Sequence, residues 1–476
     1  MKKKYQQSAS REPIRVNFVS LGCPKNLVDS EKMLALVGQA GMAIVGPDDA
    51  ADVTIINTCG FIKPARDEAF EAIDAALAAK REGLTRAVVV AGCLAQHVKH
   101  ELLEQRPEID ALVGLGQREG IAQLVQKLAA NMEVQAETCP AFTGPVASDR
   151  VRLRLTEPSW AYLRISEGCD LRCSFCTIPS IRGPYRSKDL GEVLAEAREL
   201  VADGAVELNL IGQETTSYGS DRPDGAALAE LLYGLEELDH LRWVRVLYTH
   251  PASFSDAIIE ALASCKKVVP YLDIPLQHIN DRILKLMNRH INRRQTEDLL
   301  ARLRGAIPEL AIRTTMLVGF ADETDGEFSE LLDFVGRQRF EALGAFAYSP
   351  EAGTAAARYP HQTPDETKQE RYHQIMQLQQ DIAFAQGEQM IGKTVPCLLL
   401  RALEEEEVQQ LHLSGEAVWF LGRHHCQAPE IDAECYVQIP AGVESLEMGV
   451  IHQATITDRL DYDLVGVLAA NYDPGD

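Results

Sequence analysis

From Val16 to about Gln126, short apolar runs alternate with stretches whose apolar residues recur at helical spacing, the pattern of a parallel sheet covered by helices. The runs are Val16 to Leu21, Val53 to Ile56, Ala87 to Val90 and Ala111 to Val113. The alternation then lapses, and Asn131 to Ser148, with Pro140, Gly144 and Pro145, reads as a linker. It resumes with strands predicted at Tyr162 to Ile165, Val206 to Leu210, Trp243 to Leu247, Val268 to Leu272, Ile312 to Val318 and Ala345 to Tyr348. Helical patterns separate these strands; in the first, Leu190, Val193, Leu194, Ala197, Leu200 and Val201 share a face. Six βα units predict a partial (βα)6 TIM-like barrel, whose ligands would sit at the C-terminal ends of its strands. After a long helical segment, Glu366 to Gln386, come shorter β runs: Thr394 to Leu400, Ala417 to Leu421, Cys435 to Ile439 and Val450 to Asp458. These predict a small β-barrel. The fold class is therefore α/β, with an N-terminal open parallel α/β domain over 14–130, a linker over 131–150, the partial barrel over 151–388 and the C-terminal β-barrel over 389–468.

Composition narrows the setting. With 476 residues, 46% hydrophobic and 25% charged, the chain has room for several globular domains, each with its own core. The longest apolar runs, such as Ala87 to Cys93, are too short to span a bilayer. No apolar segment follows Lys2, Lys3 and Lys4, so a secretory signal is not expected there. Eleven cysteines without such a signal suit a reducing cytoplasm and metal binding rather than disulfides. The net charge is −23, and Gln389 to Asp476 alone carries four Lys or Arg against fifteen Asp or Glu, a net −11. That field repels RNA phosphates and attracts a basic partner.

The cysteines carry the chemistry. Gly168 to Cys176 reads GCDLRCSFC and sets Cys169, Cys173 and Cys176 at spacing C-x3-C-x2-C, directly after the first barrel strand. Three thiolates on one loop can hold three irons of a 4Fe–4S cluster, leaving one iron open to bind and reduce a small molecule. A closed structural zinc site needs four near ligands, and no partner pair lies nearby. The first three N-terminal runs each end within a few residues of a cysteine, namely Cys23, Cys59 and Cys93. Strand ends of an open α/β sheet lie along one edge, so these cysteines are expected to meet in a second metal site.

Other signals carry less. Gln213 and Glu214, in IGQETTSYG (Ile211 to Gly219), follow the second barrel strand, where they would bind cofactor or substrate or else cap a turn. His250 and His278 also follow barrel strands and are read as hydrogen-bonded structure. Gly114, Gly116 and Gly120 fit a helix-opening turn better than a dinucleotide fingerprint, and Glu404 to Glu407 reads as a solvated loop. His424, His425 and Cys426 lack a fourth metal ligand, and Cys139, Cys265, Cys397 and Cys435 belong to no motif and are read as structural.

Taken together, SLGCPKNLVDSE (Ser20 to Glu31), INTCGF (Ile56 to Phe61), AGCLAQ (Ala91 to Gln96), GCDLRCSFC, DIPLQH (Asp273 to His278) and YSPEAGT (Tyr348 to Thr354) resemble the methylthiotransferases of the radical S-adenosylmethionine (SAM) superfamily. The resemblance covers residues 14–468 and implies an N-terminal methylthiotransferase domain, a radical SAM domain and a TRAM domain. It implies two 4Fe–4S clusters, one on Cys169, Cys173 and Cys176 with SAM on its open iron, the other on Cys23, Cys59 and Cys93 carrying the sulfur to be transferred. Phe175 would help seat the adenine or simply pack, Gln213 and Glu214 would lie on the cofactor side, and no catalytic residue beyond the cluster ligands is assigned.

Within the family, LGCPKNLVDSE and APEID (Ala428 to Asp432) resemble the RimO branch, which modifies an aspartate of a small-subunit ribosomal protein. The branch acting on an adenosine of tRNA, the alternative, typically has Gln and Met where Pro24 and Lys25 stand. The acidic C-terminal stretch agrees with a basic ribosomal protein, or the ribosome, as partner. Three positions depart: FADET (Phe320 to Thr324) lacks the usual Pro and Gly, His250 in LYTHP (Leu247 to Pro251) replaces a usual Tyr, and Gln427 replaces a usual Asp. None touches a cysteine ligand, so they bear on loop shape and substrate contacts. The implied reaction cleaves SAM to a 5′-deoxyadenosyl radical, removes hydrogen from the aspartate β-carbon, and delivers methylated sulfur there. A chamber closed to solvent, with the two domains facing each other over the barrel, is what such a radical requires. Sulfur and electron donors are further partners that the sequence does not identify. A non-enzymatic iron–sulfur scaffold or zinc module is the remaining reading.

Overall fold

The computed structural model describes residues 12–469 apart from 135, 143, 223, 224, 226, 415, 416, 441–445 and 447; Lys2 to Lys4 and the acidic Glu416, Glu444, Glu447, Asp473 and Asp476 lie outside the described residues. The chain forms two compact units. No described helix is long and apolar enough to cross a membrane.

The first unit runs through Gly144 and adds Asp149–Leu155 and Ser180–Gly183. Its parallel sheet comprises β1 (Arg15–Ser20), β2 (Ala43–Val45), β3 (Ala51–Thr58), β4 (Thr85–Gly92), β5 (Ala111–Val113) and β6 (Glu137–Thr138), in the order β2-β1-β3-β4-β5-β6. One face buries Val53, Ile55 and Val89 with Met33, Val37 and Val125. The other buries Ile56, Val88 and Val90 with Ile73 and Leu77. Helices on both faces explain why these strands read as continuous apolar runs rather than alternating ones. Within the stretch expected to be a linker, Glu137 and Thr138 pair with Leu112 and Val113 as the outermost strand, too short to show any period. Asp149–Leu155 is anchored to this unit through buried Glu31, which accepts from the N–H of Leu155 (2.8 Å) and pairs with Arg152 (3.3 Å).

The second unit holds the open barrel: β7 (Trp160–Arg164), β8 (Glu207–Ile211), β9 (Trp243–Val246), β10 (Val268–Asp273), β11 (Ala311–Val318) and β12 (Ala342–Ala347), all parallel and in sequential order. Alternate residues such as Leu163, Leu208, Leu210, Val244, Val246 and Leu272 join the core under the helices. The long helix spans Asp365–Met390. Beyond it, β13 (Thr394–Ala402), β14 (Val418–His424), β15 (Cys435–Ile439), β16 (Ile451–Leu460) and β17 (Asp463–Leu468) close a five-stranded barrel in the order β13-β14-β15-β17-β16. The fifth strand escaped the sequence reading because Gly466 interrupts it. That glycine is needed, since a Cβ there would sit 3.0 Å from the Thr455 carbonyl oxygen. Glu404 to Glu407, expected as a solvated loop, instead cap and open a short helix, Glu405–Gln410, with Glu407 paired to Arg401 at 2.7 Å. Acidic side chains favour a helix N-terminus, which is why the run folds.

The two barrels of this unit are joined by charge. Glu207 is fully buried and takes Arg245 Nε of β9 at 3.0 Å and Arg423 Nη2 of β14 at 2.6 Å. The hydroxyl of Tyr162 donates to Glu430 (2.8 Å) and that of Tyr271 to Asp432 (2.6 Å), while Arg313 pairs with both Asp273 (3.0 Å) and Asp432 (3.4 Å). The APEID string therefore lies against the interior residues of the open barrel.

Candidate metal centres

In the first unit, β1, β3 and β4 are adjacent strands, and Cys23, Cys59 and Cys93 follow their C-terminal ends. The turns that carry them are pressed together. A Cβ on Gly22 would sit 2.8 Å from Cys59 Cβ and 3.6 Å from Cys59 Sγ, and one on Gly60 would sit 3.0 Å from the Cys93 carbonyl carbon. Three cysteines far apart in sequence thus occupy one corner, each within the electrostatic reach of the others. Cys23 caps the helix Pro24–Gln39, with Pro24 at the first helical position. Burial alone would raise the Cys23 thiol, but Lys25, Arg182 and the N–H groups of Asn26 and Lys25 hold it below its ordinary value. Burial pushes Cys59 up, and Cys93 up to about 12. Of the three, the Cys23 thiol gives up its proton most readily, the form in which a cysteine binds a metal.

Arg182, which sequence reasoning missed, is 2% exposed and donates from Nη2 to Cys93 Sγ at 3.2 Å. The same nitrogen reaches Asp29 Oδ2 at 3.3 Å. Asp29 Oδ1 takes Arg118 Nη1 at 2.8 Å, and Arg118 pairs with Asp149 at 2.8 Å.

In the second unit, Cys169, Cys173 and Cys176 share the loop after β7, each a free thiol. The loop is held from several sides. Ser174 N–H donates to Met287 O (3.0 Å), Ala356 N–H donates to Ser174 O (2.8 Å), and Asn288 donates to the carbonyl of Arg172 (2.8 Å). Two donors already face sulfur: Ile178 N–H to Cys176 at 3.4 Å and Arg289 Nη1 to Cys173 at 3.4 Å. Burial raises Cys169 to about 11 and Cys176 to about 12. Three soft donors with N–H groups aimed at them fit an iron–sulfur cluster with one open iron.

Around this loop, buried donors lack a protein partner. Gln213 Oε1 accepts from Gly168 N–H at 2.8 Å, fixing the start of the cysteine loop, while its Nε2, His250 Nε2 and Arg289 Nε find no partner among the described residues. Such donors suit a ligand with carboxylate and hydroxyl groups, as SAM has. Glu214 accepts the N–H of Ser217 (2.9 Å), capping its own turn, and still lies close enough to Cys169 to be felt there. Phe175 packs edge-on to Phe320, with centroids 6.4 Å apart, in an apolar cluster with Tyr348 and Tyr359.

Matches to known families follow the same division. Residues 163–335 match the radical SAM superfamily, 15–114 an uncharacterized protein family (UPF0004) and 391–468 the TRAM domain. Curated relatives include the ribosomal protein uS12 methylthiotransferases RimO of Pelobacter propionicus (41% identical, covering 96% of this chain and 98% of the relative) and Anaeromyxobacter sp. (43%, 96% and 93%). The chain belongs to the RimO family. Radical SAM enzymes of this family use SAM and an iron–sulfur cluster. Among solved structures, the radical SAM methyltransferase TsrM of Kitasatospora setae superposes with a TM-score of 0.54 at 14% identity, covering 71% of this chain and 75% of that one, a likeness of fold.

Other polar groups singled out in the sequence make local bonds. His250 Nδ1 accepts from Ala252 N–H (3.3 Å) and His278 Nδ1 from Asn280 N–H (3.0 Å). Burial lowers His250 to about 2 and His278 to about 3. His424, His425 and Cys426 bring ligating atoms within 4.8 Å of one another, but Arg245 donates to the His425 carbonyl at 2.8 Å, and burial raises Cys426 to about 12. A protonated thiol beside an arginine disfavours a cation there. Cys139, Cys265, Cys397 and Cys435 sit in apolar cores, and Gly114 to Gly120 form a turn that opens the helix Ile121–Ala129.

Proposed function

We propose that this RimO-family enzyme transfers a methylthio group to the β-carbon of an aspartate in ribosomal protein uS12, using two 4Fe–4S clusters. The observation that carries the reading is the presence of two separate sets of three cysteines, one on a single loop and one drawn from three strand ends. The substrate follows from the relatives, whose name specifies uS12.

Once iron and SAM are bound, the chemistry supplied is reductive cleavage of SAM to a carbon radical, hydrogen removal from the target carbon and delivery of methylated sulfur. The chain's own residues hold and shield. Cys169, Cys173 and Cys176 ligate the first cluster, with Arg289 on the Cys173 sulfur. Gln213, whose Oε1 already pins Gly168, offers Nε2 to bound SAM, and Glu214 lies on the same side. Phe175 forms one apolar wall. Cys23, Cys59 and Cys93 ligate the second cluster.

A basic ribosomal protein suits the net charge of −23, and such a substrate puts the work in the cytoplasm. Sulfur and electron donors complete the partners. Modification of tRNA, the second reading, is disfavoured by the −11 balance of the C-terminal stretch. Mass spectrometry of ribosomal proteins and of tRNA from cells lacking the enzyme tests the proposal. Loss of one methylthio group from uS12 is expected; loss from tRNA with uS12 unchanged overturns it.

A further inference from the structure

Arg182 follows the cysteine loop by only a few residues in the chain, yet its side chain serves the other cysteine set. An iron–sulfur core held by three thiolates carries net negative charge, and burying that charge is costly unless a cation and hydrogen bonds answer it. Two cations are buried in the corner of Cys23, Cys59 and Cys93: Arg182 at 2% exposure and Lys25 at 6%. Arg182 donates to a sulfur, Nη2 to Cys93 Sγ at 3.2 Å.

Its aim is fixed by a row of alternating charges. Asp149 pairs with Arg118, Arg118 with Asp29, and Asp29 Oδ2 with Arg182 Nη2. The two hydrogens of Nη2 therefore divide between a carboxylate and a sulfur. Asp29 thus holds Arg182 from one side and leaves an Nη2 N–H on the sulfur. Hydrogen bonds to cluster sulfurs and nearby positive charge favour the more reduced, more negative state, which raises the reduction potential.

We propose that Arg182 is a positioning residue for the second cluster: it orients the Cys93 sulfur toward the iron site and sets the cluster's reduction potential through an N–H···S bond. This rests on the two-cluster reading above.

The test uses the full chain with Cys169, Cys173 and Cys176 all replaced by Ala, reconstituted anaerobically with iron and sulfide so that only the second cluster forms. Its midpoint potential is read by redox titration followed by electron paramagnetic resonance, alone and with Arg182→Met or Arg182→Lys added. Arg182→Met is expected to shift the midpoint negative and alter the resonance signal, and Arg182→Lys, which keeps the charge but not the planar fork, to fall between. Apo-protein melting is measured beside it, because a purely structural arginine would lower melting and leave the potential alone. An unchanged midpoint in Arg182→Met overturns the proposal. If that variant fails to fold, a wild-type midpoint and signal in Arg182→Lys overturns it instead. A parent triple variant that takes up no iron overturns the two-cluster reading, and this proposal with it, in a way the arginine variants cannot mimic.

Discussion

Gly92 sits at φ +92°, and a Cβ there would meet Asn57 Oδ1 and stand 2.7 Å from the Thr58 carbonyl oxygen. The residue after it is Cys93. Gly92→Ala should therefore cost about 1–3 kcal/mol in backbone strain and displace the cysteine. On the proposed two-cluster reading, iron uptake on reconstitution should fall from about eight irons per chain toward about four. Cys59→Ala should leave SAM cleavage intact while abolishing methylthiolation, whereas Cys173→Ala should abolish cleavage itself; assays of 5′-deoxyadenosine and of modified uS12 separate the two. The grouping of six cysteines into a loop set and a strand-end set was legible in the sequence because spacing and strand ends announce it. Arg182 and Arg289 were not, since a single arginine has no spacing signature and their sulfur partners lie 89 and 116 residues away along the chain.

Most of the longer elements matched their periodicity, apart from the strand broken by Gly466 and the acidic helix Glu405–Gln410, and the shortest elements were missed for want of length. β2 has three residues and β6 two, so neither can show an alternation, and only pairing with a longer neighbour makes them strands. FADET, the stretch without the Pro and Gly expected there, leads into a capped helix. Thr324 accepts from Glu327 N–H and Glu327 returns the bond to Thr324 N–H at 2.9 Å, opening the helix Asp325–Gln338. Arg282 ties Asp322 and Glu327 across the loop at 2.8 and 2.6 Å. Thr324→Ala should lower stability by about 1 kcal/mol in denaturant titration, without changing iron content.

At the scale of the molecule, buried histidines make the enzyme sensitive to acid. Burial holds His278 and His424 neutral, each with its pKa lowered to about 3. A folded-state value below the unfolded one means the unfolded chain binds more protons between the two, so stability is complete above about pH 6.5 and falls as pH drops toward 3, by up to about 1.4 kcal/mol per pH unit for each histidine. Denaturation midpoints measured from pH 4 to 8 should show this slope, and His278→Asn should flatten it by one proton's worth. The buried Glu207 works differently. Burial alone would raise its carboxyl, but Arg423 and Arg245 hold it below the usual range. Glu207→Gln strands two arginines and should cost about 3–5 kcal/mol. The succession of parallel sheet, open barrel and closed β-barrel was legible from the change of apolar period, but this charge lock was not, because Glu207 and Arg423 lie 216 positions apart and each looks like an ordinary strand residue. The lock has a consequence for domain exchange. Glu207, Tyr162, Tyr271 and Arg313 find their partners in Arg423, Glu430 and Asp432 of the C-terminal domain, so that domain cannot be deleted, or traded for a relative's, as an independent module. A chimera would fold only if the donor brought its own matching acids and arginine with it.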